Sequence, residues 1–234
     1  MPPNASATPR QPETPARPMN ASGDRAMTPS ALSLRLELRR KGAHALPGLI
    51  PFIMLFVYHE DPLPAWNLAV VAAVVAGLTL IGFRASRTSG MLRGRENWQR
   101  TCLTYALPPT LTLILFPAHA ECASVVLCVL AFGDPAAALG GRLWGRRRLA
   151  WNPDKTWVGL ACFMMLAAPA ASVIYAFEAR PAVPWTIAVL GGTGGAACGA
   201  IAESLPGRGD DNLRISLAAA VAVVVVARFV GGEA

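Results

Sequence analysis

After its first thirty residues the chain is a succession of apolar stretches separated by short polar connections. Seven can be delimited: Ala43–Tyr58, Pro62–Phe83, Cys102–Pro117, Cys122–Gly141, Trp157–Phe177, Ala182–Ala202 and Leu213–Val230. A helix needs about 20 apolar residues, range about 17–25, to cross the hydrocarbon core of a bilayer. The second, fifth and sixth stretches meet that length. The first and third are shorter and carry prolines (Pro47 and Pro51; Pro108 and Pro109), so they are expected to kink or re-enter. The pattern predicts an all-α, multi-pass transmembrane helical bundle of about seven spans within residues 32–234. Residues 1–31 hold seven prolines among Ala, Ser, Thr and Asn. They read as a disordered tail, with no apolar signal segment. Leu32 to Lys41 is amphipathic and basic, which predicts a short interfacial helix leading into the first span.

Composition rules out a water-soluble protein. Hydrophobic residues make up 53% and charged residues 15%, against roughly 25% charged in soluble domains; mean hydropathy is +0.41. The net charge of +7 does not indicate nucleic acid, because the basic residues lie between apolar stretches rather than on one polar face. Counted by connection, sixteen Lys and Arg fall on one side of the predicted bundle and Arg180 alone on the other. Positive charge marks the cytoplasmic side, which places the N-terminus inside and predicts an integral protein of a bacterial inner membrane. Five cysteines (Cys102, Cys122, Cys128, Cys162, Cys198) without CxxC spacing read as buried thiols.

Three polar clusters fall at the predicted cytoplasmic ends of spans. Arg40 and Lys41 share a helical face with His44. The pair suits phosphate, or equally a lipid-headgroup anchor. Asp134 lies inside an apolar run, where a carboxylate costs about 2.5–3.5 kcal/mol and ordinarily faces a cavity and a partner. After it come Gly140, Gly141, Arg142, Gly145, Arg146, Arg147, Arg148 and Lys155, combining backbone that allows close approach with cations, as phosphate cradles do. No GxxxxGK[ST] motif is present. The third cluster is Glu203 with Asp210, Asp211 and Asn212, one of which is expected to cap the last helix. With Asp134, these carboxylates are the candidate ligands for Mg²⁺, which takes one or two protein carboxylates plus substrate phosphates. Metal, cations and a carboxylate facing an acceptor hydroxyl are the parts of a phosphoryl-transfer site. A pocket opening into the bilayer would take a lipid alcohol.

These residues resemble the CTP-dependent lipid-alcohol kinase family, which includes dolichol kinase, phytol kinase and the CTP-using diacylglycerol kinase. The resemblance covers most of the chain from Arg40 to Leu217, and its carriers are Arg40-Lys41-Gly-Ala-His44; Gly133-Asp134-Pro-Ala-Ala-Ala-Leu-Gly140-Gly-Arg-Leu-Trp-Gly145; Asn152-Pro-Asp-Lys155-Thr156-Trp-Val-Gly159; and Glu203-Ser-Leu-Pro206 with Asp210-Asp211-Asn212-Leu. The last pair is most similar to the phytol kinase branch. Val158 stands where many members have glutamate, which points away from dolichol kinase, and Ser216 stands near a common proline. The resemblance implies a multi-pass, Mg²⁺-dependent kinase that transfers the γ-phosphate of CTP to phytol, a polyprenol or diacylglycerol. Asp134, Lys155 and Asp211 would be catalytic. Arg40, Lys41, His44, Gly140, Gly141, Arg142, Gly145 and Asn212 would hold the nucleotide, and Asp134, Glu203, Asp210 and Asp211 the metal. The glycine-rich sixth stretch would line a lipid groove, and a homodimer is compatible with the pattern. Two other readings start from the same residues: a phosphatidate cytidylyltransferase-type enzyme making CDP-diacylglycerol, and a small transporter using Asp134 as an ion site.

Overall fold

The structure, a computed structural model, describes residues 29–57, 59–71, 73–74, 77, 98–207 and 209–230. Most of the predicted tail, most of the second apolar stretch, the basic connection after it (Arg84, Arg87, Arg93, Arg95) and Arg208 lie outside the described residues. The described chain is all-helical. Helix α1 (Pro29–Ala45) contains the predicted interfacial segment and begins within the predicted limit of the tail. A 3₁₀ turn (Leu46–Gly48) and a six-residue α2 (Leu49–Met54) follow. Then come α3 (Trp98–Leu115), α4 (Ala120–Cys128), a π-turn (Val129–Gly133), α5 (Asp134–Trp144), α6 (Trp157–Glu178), α7 (Trp185–Ser204) and α8 (Asp211–Phe229).

Four helices among the described residues are long and apolar enough to cross a membrane, rather than seven across the chain. They are Ala120–Trp144, which runs unbroken through the π-turn, and α6, α7 and α8. These match the last four predicted stretches. The first stretch fails as a span because a new turn at Leu46–Gly48, with Pro47 in it, leaves α2 with six residues. The third forms an 18-residue helix with Pro108 and Pro109 inside it. Its polar first turn (Trp98-Gln99-Arg100-Thr101) lowers its apolar content.

The core lies between α4, the π-turn, α6, α7 and α8, where Val125, Val129, Leu130, Phe163, Ile215 and Val223 are fully buried. Small residues allow close packing, as in other membrane helices. A Cβ at Gly191 would meet the Tyr175 ring, and one at Gly192 would run into the Ser172 backbone. The glycines of α7 are therefore spent on helix contact, not on a lipid groove; Gly194, where a Cβ meets nothing within 4 Å, is the exception. Outward positions such as Met165, Val221 and Phe229 are apolar and exposed, as a lipid-facing surface requires.

The π-turn fixes where α5 begins and which way Asp134 faces. A π-turn accommodates one extra residue in a helix and recurs at functional sites. Here Gly133 seats the Phe163 ring where a Cβ would sit. On the other side, Gly48 lies against Ala131 and Phe132, so the break after α1 docks on the turn that precedes Asp134.

Candidate active site

A cavity of about 460 Å³ opens between α1, α5, the 145–156 loop, and the facing ends of α7 and α8. Asp134, first residue of α5, lies ten residues before the helix end at Trp144, roughly 15 Å along the helix axis. It is 8% exposed. Lys41 reaches across from α1 to bond its Oδ2 at 2.6 Å, and His44 Nε2 lies 3.4 Å from the same oxygen. That second contact is an ion-pair distance without hydrogen-bond geometry. Tyr105 of α3 holds this end of α1 in place: its hydroxyl donates to the His44 carbonyl at 2.8 Å, and the two rings meet edge-to-face at 4.7 Å. Burial drives the His44 imidazolium down to about 4; Asp134 opposes the shift while Lys41 and Arg40 add to it. His44 is therefore neutral at pH 7.

The opposite wall is built around Lys155. Its Nζ lies 2.5 Å from Glu203 Oε1 at the end of α7 and 3.5 Å from Asp211 Oδ2 at the start of α8. Burial pulls this ammonium down, but Glu203, Asp211 and Asp134 outweigh it and hold it above the usual lysine value. The loop that carries Lys155 is tied to α7. Trp151 Nε1 donates to Ser204 Oγ at 3.2 Å and Asn152 Nδ2 to the Ser204 carbonyl at 3.1 Å. Within the loop, the Leu149 amide donates to the Lys155 carbonyl at 3.0 Å. Arg214 of α8 donates to the carbonyls of Ala202 and Leu205. Two of the last-turn carbonyls of α7, those of Ala202 and Ser204, which have no partner within the helix, are thereby satisfied on either side of Glu203. Thr156 caps α6 by accepting from the Gly159 amide at 3.0 Å.

Most of the residues singled out from the sequence converge here. Arg40, Lys41, Asp134, Gly141, Arg142, Gly145, Lys155, Glu203 and Asp211 line the cavity. The structure places others beside it. Gly140 packs against Cys162. Asp210 is the helix cap, accepting from the Asn212 amide at 3.0 Å, and Asn212 is buried behind it. His44 touches Asp134 but is not in the lining. Gly141 and Gly145 crowd the Thr156 hydroxyl, so much of their close approach is spent on that side chain. Arg148 was named with the basic run, and Asp154 and Thr156 only as members of the third motif; Glu37 in the lining and Tyr105 behind it were not singled out. Glu37 was within reach, standing three and four residues before Arg40 and Lys41 on one helical face and pairing with Arg40 at 2.8 Å. Tyr105, one hydroxyl inside an apolar stretch, carried no comparable signal.

The electrostatic character also differs from the expected cationic cradle. Among the described residues, five basic side chains line the cavity, and Glu37, Asp134, Asp154, Glu203 and Asp211 equal them in number. Arg146 and Arg147 fall outside the lining. Among the described residues, no three His, Cys, Asp or Glu side chains stand together as a ready-made metal cage.

Over 134 residues the chain is 27% identical to the chloroplastic phytol kinase 1 of Arabidopsis thaliana, a match covering 54% of this chain. It spans 44% of the plant protein's length, less than half of the curated relative it matches. No protein-family model matches the chain, and no solved structure matches it.

Proposed function

We propose that this protein is a kinase that moves a phosphoryl group from a nucleoside triphosphate, CTP by the family resemblance, to the hydroxyl of a membrane lipid alcohol such as phytol, a polyprenol or diacylglycerol. The observation that carries the reading is the convergence of Asp134, Lys41 and Lys155 from separate elements in one cavity, within a bundle built to sit in a bilayer. The likeness to phytol kinase 1 supports a kinase acting on a lipid alcohol. The positive-inside pattern supports reading the cavity as lying at the cytoplasmic face of a bacterial inner membrane.

In the reaction, the acceptor oxygen forms a bond to the γ-phosphorus, the bridging bond to the nucleoside diphosphate breaks, and the hydroxyl proton leaves. Asp134 orients that hydroxyl and takes its proton, a role for a carboxylate poised at the acceptor. Lys41 and Lys155 offset charge on the transferring group from opposite walls, joined by Arg40, Arg142 and Arg148. The carboxylates Asp134, Glu203 and Asp211 are hard oxygen donors that fit Mg²⁺, and a site without a preformed cage suits an ion that retains water and substrate phosphate as ligands. When bound, Mg²⁺ would withdraw charge from the phosphate oxygens.

The test uses purified protein in detergent with CTP or ATP and a panel of phytol, geranylgeraniol, undecaprenol and diacylglycerol. Lipid monophosphate and nucleoside diphosphate are expected together. Release of pyrophosphate with a CDP-lipid would replace the reading with a cytidylyltransferase, and no transfer to any alcohol would end it.

A further inference from the structure

At the end of the bundle away from the cavity, three acids from separate segments meet, and several of their oxygens lack the donors that ionised carboxylates need. Asp61 comes from the 59–64 loop, Glu121 from the first turn of α4, and Glu178 is the last residue of α6. Asp61 lies within electrostatic reach of both glutamates. Glu121 is 4% exposed and Glu178 5%. Yet the Oε2 atom of each, and both Asp61 carboxylate oxygens, are buried without a hydrogen-bond partner. The neighbouring groups do not supply one. His119 Nδ1 lies 3.2 Å from Glu121 Oε1, on the other oxygen, and His59 Nε2 stands 4.0 Å from Glu178 Oε1, beyond hydrogen-bond reach. Arg180 donates to the carbonyls of Phe177 and Ala179, closing the end of α6. Arg228 lies over the Phe116 ring. The Cys122 thiol and the Tyr175 hydroxyl also face Glu121, and neither bonds its Oε2.

A buried carboxylate without donors is costly enough to take up a proton instead. Acids that share one place also repel each other's charge, so a proton is retained among them. Such a proton belongs to the set rather than to one side chain, and it can donate to an oxygen that has no other partner. We propose that Asp61, Glu121 and Glu178 form a proton-binding site at this end of the bundle, in which a shared proton fastens the 59–64 loop onto the ends of α4 and α6. The same loop is held by Leu63, whose amide donates to the Pro117 carbonyl at 2.9 Å and whose side chain packs with Leu113, Ala120 and Ala123. Burial pushes the Asp61 carboxyl upward, against the opposing charges of His59, His119 and Arg180. The fastened loop therefore holds the proton more tightly than the released one. Its attachment is strongest at low pH and is lost as pH rises through the raised value.

The experiment follows amide hydrogen exchange by mass spectrometry in the full-length protein in detergent, at about pH 7 and about pH 9, above the ordinary histidine range. Rates are normalised to those of unstructured amides at each pH. Peptides covering the 59–64 loop are expected to lose protection at least about tenfold between the two, the change that one linked proton brings per pH unit. Peptides from the middle of α6 are expected to keep theirs. Glu178→Gln carries a neutral amide that donates at every pH, and is expected to reduce the loss to less than about twofold. Infrared spectra of the parent at neutral pH are expected to show a protonated carboxyl band that disappears as the pH is raised. Loop protection that does not change with pH, or that changes equally in Glu178→Gln, would overturn the proposal, as would absence of the band. Should Glu178→Gln misfold, Glu121→Gln provides the same comparison. None of these outcomes depends on turnover, so the kinase reading stands or falls separately.

Discussion

The two ends of the helical bundle both bury acids, yet they are built differently. At the cavity end, Asp134, Glu203 and Asp211 each face a lysine across a solvent-accessible space. At the far end, Glu121 and Glu178 face histidines: His119 Nδ1 lies 3.2 Å from Glu121 Oε1, and His59 Nε2 4.0 Å from Glu178 Oε1. There, Glu121 Oε2, Glu178 Oε2 and both Asp61 carboxylate oxygens are buried without a hydrogen-bond partner. A buried acid is thus no sufficient mark of chemistry in a membrane protein. What separates the ends is that the acids of one pair with lysines around a cavity of about 460 Å³, whereas those of the other lie beside histidines.

The sharpest way to break this contrast is to neutralise one acid at each end. Asp134→Asn is expected to lower kinase turnover by about 10³-fold, within the range for loss of a general base, with the protein still helical by circular dichroism. Glu178→Gln is expected to leave turnover near the parent's. Similar losses from both substitutions would mean that the far end takes part in the reaction.

Next in size is Lys155→Met, expected to cost about 10²-fold in kcat/KM for the nucleotide, the scale of removing one donor to developing charge. Steady-state kinetics with varied CTP checks this. Unchanged kcat/KM would place the phosphates elsewhere.

Stability should divide the ends in the opposite sense. Glu203→Gln deprives the half-buried Lys155 ammonium of its nearest acid and is expected to destabilise by about 1–3 kcal/mol. Glu121→Gln removes an acid with an unpartnered oxygen and is expected to hold or raise thermal stability in detergent. If Glu121→Gln is the more damaging of the two, the acids of the far end hold the bundle together more firmly than those of the cavity.

The smallest effect is a difference in pH slope. His44 sits at about 4 in the folded protein because burial disfavours its charge, against roughly 6.5 unfolded. Its contribution to stability is fully present above 6.5 and is lost as pH falls toward 4. Asp61, in the loop at the far end, is shifted upward, burial being the main cause and His59 and His119 opposing it. The folded state therefore holds that proton more tightly, and stability is lost as pH rises through the raised value. His44→Gln and Asp61→Asn should flatten the unfolding-temperature profile in opposite directions relative to the parent.

Much of the cavity end was legible from sequence because its markers are charges in apolar surroundings. Asp134 inside a hydrophobic run and Glu203 within a basic connection are costly enough to stand out, and both line the cavity. The bundle class followed from hydropathy for the same reason. The span count did not, because a proline such as Pro47 can turn the chain within a stretch whose composition alone resembles a span. The roles of the glycines were also hidden. Gly140 and Gly192 look like open backbone in a sequence, and only the approach of Cys162 and Ser172 shows that their space is taken. The far end escaped notice because its acids sit at span boundaries, where charge is inexpensive, and their burial arises from packing between distant segments.

The π-turn at Val129–Gly133 has a consequence for how this protein can change. Each helical residue rotates its successors by about 100°, so the extra residue stored there sets the direction in which everything from Asp134 onward points. Deleting one residue from the turn would leave the hydrophobic composition, and every charged side chain, intact. The carboxylate would nonetheless swing away from Lys41 toward a neighbouring helix or the surrounding lipid. Insertions and deletions in this five-residue window should therefore be far less tolerated than the interchange of one apolar side chain for another.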